Sequence, residues 1–132
     1  MDLGLHQRLL GLELSELLTD TMATFINKGS IAGVFAGLEI RAASASNSAC
    51  QLYYWHREAP SSNAEIDYLI QRGAAIIPIE VKAGKRGSMQ SMSVFMSEHK
   101  SSYGIRLSLE NYSQYKNIIV LPLYLAASVV SR

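Results

Sequence analysis

The sequence is short of the residues that commit a chain to several common classes. It has one cysteine in 132 residues, three prolines and one tryptophan. A single Cys50 cannot close an internal disulfide, and such sparse use of cysteine suits a reducing compartment. No apolar run approaches the roughly 20 residues of a membrane-spanning helix. Met1-Asp2-Leu3 is not a secretory start, because no basic segment leads into an apolar stretch. The expectation is a cytoplasmic protein with no membrane partner. Charge of one sign is missing too: 12 basic against 11 acidic residues leave a net charge of +1. Bulk electrostatics therefore gives no affinity for nucleic acid, and any such site must be a local patch. No Gly-x-x-x-x-Gly-Lys-Ser/Thr loop occurs, so there is no ATP site in the chain. What is present is a hydrophobic content of 48% over the length of one domain, enough for a core and too much for a disordered tail.

Residues 1–28 read as an N-terminal helical segment packed on the core, and 29–132 as the core itself, together one structural domain. Leu10, Leu14, Leu17 and Leu18 form an apolar helical face. Ser30 is the expected N-cap of a second helix running to about Ala45. Gly33 and Gly37 lie one turn apart inside that helix, which points to another element packed closely against them. Strands are expected at 51–56, 65–70 and 76–82, a helix at 89–100, and strands at 104–109 and 117–121. The tail to Arg132 is expected to fray. The order helix, three strands, helix, strand, strand makes an α/β (α+β) protein with a mixed central sheet flanked by helices.

Chemistry concentrates in residues 64–88, AEIDYLIQRGAAIIPIEVKAGKRGS. A two-residue turn at Gly73-Ala74, with Gly first as a type II′ turn requires, closes a hairpin. In that register Ile66 faces Val81, Tyr68 faces Ile79 and Ile70 faces Ile77, three apolar pairs on one side. The other side sets Glu65 opposite Lys82, an expected ion pair, and Asp67 opposite Glu80. Two adjacent carboxylates are unfavourable unless a proton or a cation lies between them. Lys82 points to the same face as Glu80. Mg²⁺ or Mn²⁺ would suit two carboxylates with waters and phosphate oxygens.

Asp67 followed by Glu80-Val81-Lys82 resembles the motif of the PD-(D/E)XK nuclease-like superfamily. Over a longer span, LHQRLLGLELSELL, NKGSIAGVFAGLEI, LYYWHREAPSSNAEIDYLI, IIPIEVKAGKRGS and LPLYLA resemble the domain that follows the AAA-type ATPase module in many bacterial and archaeal ATP-binding proteins. The resemblance implies a restriction-endonuclease-like core in the order α-β-β-β-α-β. It implies catalytic roles for Asp67, Glu80 and Lys82, with metal held by Asp67, Glu80 and the Val81 carbonyl. Glu65, Lys85, Arg86 and Gln90 are the accessory candidates. The family's first core helix usually carries a further Glu, and Gly33 stands at that position. Glu39 lies too far round the helix to replace it. The expected metal site is therefore reduced or lost.

Three functions compete at this level. The favoured one is an accessory domain of an AAA-type ATPase family protein that binds DNA, RNA or a protein such as the ATPase module. The second is a Mg²⁺- or Mn²⁺-dependent phosphodiesterase. The third is a structural remnant that dimerises through exposed apolar surface. An alternating strand with a solvated polar face would look the same if the motif were ignored. Residues 82–86 hold three positive charges that could steer a phosphate backbone or merely solvate a loop. Tyr53, Tyr54, Trp55 and His56 could stack bases, but alternation along a strand is expected to bury at least half of the four, which favours a core role. Met89, Met92, Phe95 and Met96 are expected to be a core stripe. His6, His56 and His99 lack metal spacing, and only His56 falls near the carboxylates.

Overall fold

Glycine at position 73 decides the centre of the architecture. Its φ of +58° is one that L side chains rarely adopt, and it lets the chain reverse in two residues between β2 (Ala64–Arg72) and β3 (Ala75–Val81). The expected register follows: Arg72 pairs with Ala75, Ile70 with Ile77 and Tyr68 with Ile79. Pro78 has no N–H. It sits opposite Leu69, one residue before β3 begins to pair with β4 at Ile79, so no ladder bond is lost to it.

The protein is described here from a computed structural model covering residues 2–9, 21–44, 52–60, 63–84 and 88–131. Around the hairpin lie helices α1 (Leu3–Leu9), α2 (Thr21–Ala43), α3 (Gln90–His99) and α4 (Ser128–Ser131), and strands β1 (Tyr53–Arg57), β4 (Gly104–Ser108), β5 (Ser113–Tyr115) and β6 (Ile118–Pro122). They form one six-stranded mixed sheet in the order β1-β2-β3-β4-β6-β5. β3, β4 and β6 run parallel and the outer pairings are antiparallel. The central strands read as continuous apolar runs because helices cover both sides. On one face Ala32, Ala36 and Ile40 of α2 pack on Ile77, Ile79, Val81, Ile105 and Leu107. On the other, Met92, Phe95 and Met96 of α3 pack on Ile66, with Trp55 edge-on to Phe95 at 5.2 Å. The methionine and phenylalanine stripe is thus core, as expected.

Several expectations are corrected. Helix α2 runs unbroken through Gly29 and Ser30, so Ser30 is a helix-interior residue and not an N-cap. The tail does not fray: α4 seats a fully buried Val129 in the core, and Arg72 donates to its carbonyl. β5 was missed because its three residues are all exposed and carry no apolar alternation. Tyr53 and Tyr54 are exposed at 58% and 74%, since β1 is an edge strand and only Trp55 turns to the core. The Leu10–Leu18 helix face and Cys50 lie outside the described residues.

The correction that matters most is in β2. From Trp55 to Tyr53 is two steps on β1, but their partners Ile66 and Leu69 are three apart on β2. β2 therefore carries one extra residue, a β-bulge. Beyond it the faces exchange: Tyr68 and Ile70 pack towards α2, whereas Ile66 packs towards α3. The expected pair Ile66–Val81 does not form one apolar face, because Val81 stays on the α2 side.

The two glycines of α2 do mark a close approach. The Tyr68 hydroxyl donates to the Gly33 carbonyl at 2.8 Å. A Cβ on Gly37 would lie 2.6 Å from that hydroxyl oxygen. Gly37→Ala is expected to push Tyr68 off its rotamer, and that strain should cancel the roughly 1 kcal/mol that Ala ordinarily gains over Gly inside a helix, so the urea midpoint should not rise. A midpoint raised by the full helix gain would mean that Tyr68 can move at no cost.

Candidate functional site

The bulge re-aims Asp67. In an undisturbed ladder the Val81 N–H would reach a β2 carbonyl. Here it donates to Asp67 Oδ2 at 2.7 Å. The Lys82 N–H, pointing the other way, donates to the Leu107 carbonyl at 2.8 Å. Asp67 is therefore held where β2 and β3 part, and the alternation of β3 turns the Val81 carbonyl to that same gap.

Glu80 comes from the middle of the sheet and is buried, with its side chain 7% exposed. Lys82, two residues on, bonds Glu80 Oε1 with its ammonium. The ammonium thus goes to Glu80, and the expected Glu65–Lys82 ion pair does not form. Glu80 Oε2 is buried with no hydrogen-bond partner. Asp67, Glu80 and Lys82 line one pocket of about 360 Å³ with Glu65, His56, Asn63, Ala64 and Ser91.

Electrostatics follows from burial. Desolvation raises the Asp67 carboxyl above its ordinary value, against the Val81 N–H and the Lys82 charge, which lower it. Desolvation also raises Glu80; its bond to Lys82 opposes the rise, and the charges of Asp67 and Glu65 add to it. Burial, and to a lesser extent the neighbouring Asp67 charge, raise the pKa of the Tyr68 hydroxyl above its ordinary value.

The remaining candidates separate. Glu65 lies on the pocket wall, exposed, and its N–H donates to Ser91 Oγ at 3.3 Å. Gln90 is exposed, its N–H donating to Ser88 Oγ, and it is not among the pocket residues. Lys85 and Arg86 lie outside the described residues. His56 lines the pocket with Nε2 3.4 Å from Glu58 Oε1. Asn63 and Ser91 were not singled out from the sequence. Ser91 stands next to Gln90 in the first turn of α3, and only the helix start at Gln90 decides which of the two faces the pocket. Gly33 is not a pocket residue either: it lies on α2, against Tyr68.

Two carboxylates and a main-chain carbonyl are a hard-oxygen set of the kind Mg²⁺ takes together with several waters. The buried, unpartnered Glu80 Oε2 fits such an ion. Among the described residues no group of three or more His, Cys, Asp or Glu side chains is placed to hold a metal, so most of the coordination would fall to water and ligand oxygens. A second, larger cavity of about 560 Å³ lies at the ends of β4 and β6. It is lined mainly by apolar side chains such as Ile31, Phe35, Leu109 and Leu123, and its carboxylate, Glu110, stands 3.6 Å from Arg106. The clustered carboxylates and the lysine ammonium line the smaller cavity.

The fold is thus a mixed α+β sheet that sets a carboxylate pair and a lysine where its central hairpin parts. Residues 28–126 match the family described as a domain of unknown function, DUF4143, over about three quarters of the chain. The chain belongs to this family. No curated protein and no solved structure matches it. No described helix is long and apolar enough to cross a membrane.

Proposed function

We propose that this chain is an accessory nuclease-like domain with a restriction-endonuclease-like core, acting beside an AAA-type ATPase module and binding nucleic acid or a protein partner. DUF4143 domains are typically associated with AAA-type ATPases, which supports the setting. The observation that carries the site is Glu80 Oε2, a buried carboxylate oxygen with no partner, on a side chain that lines a pocket shared with Asp67 and Lys82. Asp67, Glu80 and the Val81 carbonyl would hold Mg²⁺ or Mn²⁺ in a reduced site. Without that ion the pocket sets three carboxylates against one ammonium, a poor host for phosphate. Nucleic-acid binding should therefore need the ion.

The test is fluorescence anisotropy with labelled DNA and RNA oligonucleotides, with and without Mn²⁺. Expected is Mn²⁺-dependent binding that weakens as salt rises, in proportion to the phosphates engaged. Binding that ignores Mn²⁺, or survives Glu80→Gln, would remove the pocket from the interaction. No binding at low salt would leave the protein-partner form of the reading.

The same orphaned oxygen also favours a second reading, a Mg²⁺- or Mn²⁺-dependent DNA or RNA phosphodiesterase. A bound divalent ion supplies Lewis acidity and a more acidic water. Lys82 would stabilise charge on the phosphate, and Asp67 would stay oriented by the Val81 N–H. Oligonucleotide cleavage that is lost in both Asp67→Ala and Glu80→Ala distinguishes this reading from binding alone.

A further inference from the structure

We infer that Tyr68 is a positioning residue for the pocket: its hydroxyl, anchored on the Gly33 carbonyl and seated over Gly37, fixes the β2 bulge and so holds Asp67 against the Val81 N–H. A bulge leaves one residue without a ladder partner and needs some other restraint to keep its geometry. Regular pairing of β2 with β3 ends at Tyr68↔Ile79, and the next residue towards the pocket is Asp67. Tyr68 is thus the last paired residue before the chain departs from the ladder. Its ring packs on the α2 side of the sheet, and its hydroxyl reaches the helix main chain at 2.8 Å. Helix α2 offers no room beyond this contact, since even a methyl at Gly37 would meet the hydroxyl oxygen, the ring carbon bearing it and one neighbouring ring carbon. Tyr68 is therefore pinned from behind by a carbonyl and from the side by the helix backbone. Asp67, its neighbour, leaves the strand on the pocket side. A helix that gives the pocket none of its lining residues controls it through this one side chain.

The consequence for a bound cation rests on the proposed function, but the positioning role has a readout of its own. Two adjacent amides report separately: the Val81 N–H is held by Asp67 and the Lys82 N–H by Leu107 on the opposite side of the strand. In Tyr68→Phe, which keeps the ring and removes the hydroxyl, amide exchange by NMR should quicken at Val81 by about tenfold relative to Lys82, the change expected for one weakened hydrogen bond. Asp67→Ala should produce the same selective change, and Gly37→Ala should resemble Tyr68→Phe. The stabilisation given by Mn²⁺ should fall in Tyr68→Phe alongside the Val81 protection. Equal acceleration at both amides, or none at Val81 in Tyr68→Phe while Asp67→Ala shows it, would overturn the positioning role. Selective acceleration with no Mn²⁺ effect in the unaltered protein would uphold the positioning role and defeat the cation reading alone.

Discussion

Mn²⁺ at about a hundred times its dissociation constant is expected to stabilise the protein by about 2.7 kcal/mol, which for a domain of this size is a rise in melting temperature of about 10 °C. The reason is the state of the pocket without it. Glu80 Oε2 has been taken out of water and given nothing in return, and Asp67 adds a second charge beside it. A divalent ion coordinated by both would remove the repulsion and the unmet desolvation together, and it would bind only the folded chain, where the hairpin brings the two side chains into one place. Asp67→Ala and Glu80→Gln should each abolish the rise. Mg²⁺ should act in the same direction, and EDTA should reverse the effect. Differential scanning fluorimetry is sufficient to read it. An unshifted melting curve in the unaltered protein, or an equal shift in either variant, would exclude a cation at this position.

Lys82→Met is expected to destabilise the protein by about 2 kcal/mol at neutral pH, less than the roughly 3–5 kcal/mol typical of breaking a fully buried pair, because the lysine is partly solvated. The variant strips Glu80 of the ammonium that opposes its raised pKa. The direction of the pH dependence follows from the same shift. Glu80 and Asp67 hold their protons more tightly in the folded state than in the unfolded chain. Their stabilising contribution is full below the unfolded values and is lost as pH rises through the folded ones. These two groups should therefore make stability fall from mildly acidic towards neutral pH. Lys82→Met should deepen that fall and extend it to higher pH. Glu80→Gln in the Lys82→Met background should flatten it and recover most of the lost stability. Urea denaturation at pH 5 and pH 8 separates these outcomes. A Lys82→Met cost that is independent of pH would assign the lysine a packing role instead.

The hairpin that carries the site was legible because two independent signals agreed on it. Turn chemistry placed Gly73 where a positive φ is needed, and the apolar residues on both sides then paired in one register. That register put Asp67 beside Glu80 and placed Lys82 on the same face. The bulge was not legible, since AEIDYLI alternates as well in a straight strand as in a bulged one, and the extra residue appears only when β1 is laid beside β2. With it went the true orientation of Ile66 and the role of Asp67 as an acceptor for Val81. Close packing at Gly33 and Gly37 could be read from their cost in a helix, but its partner, Tyr68, is thirty-one residues beyond Gly37 and needed the fold. Ser30 misled because a cap residue followed by an apolar helical pattern is the usual sign of a helix start, and nothing in the local pattern revealed that the preceding turns continue it. β5 escaped because edge strands this short are paired by their backbone and carry no apolar face of their own.

Asp67 and Glu80 belong to two strands joined by a two-residue reversal and Lys82 directly follows the second, so bringing them together requires closing only a short loop. Hairpins of this kind form in about 1–10 μs, long before the crossover through α3 can add β4 as a parallel neighbour. If that hairpin, with α2 seated on Tyr68, is already formed at the rate-limiting step, the crowding of the two acids weighs on the forward rate of folding. Whatever neutralises them, a proton or a divalent ion, would speed refolding in proportion to how much of the hairpin is already formed at the rate-limiting step.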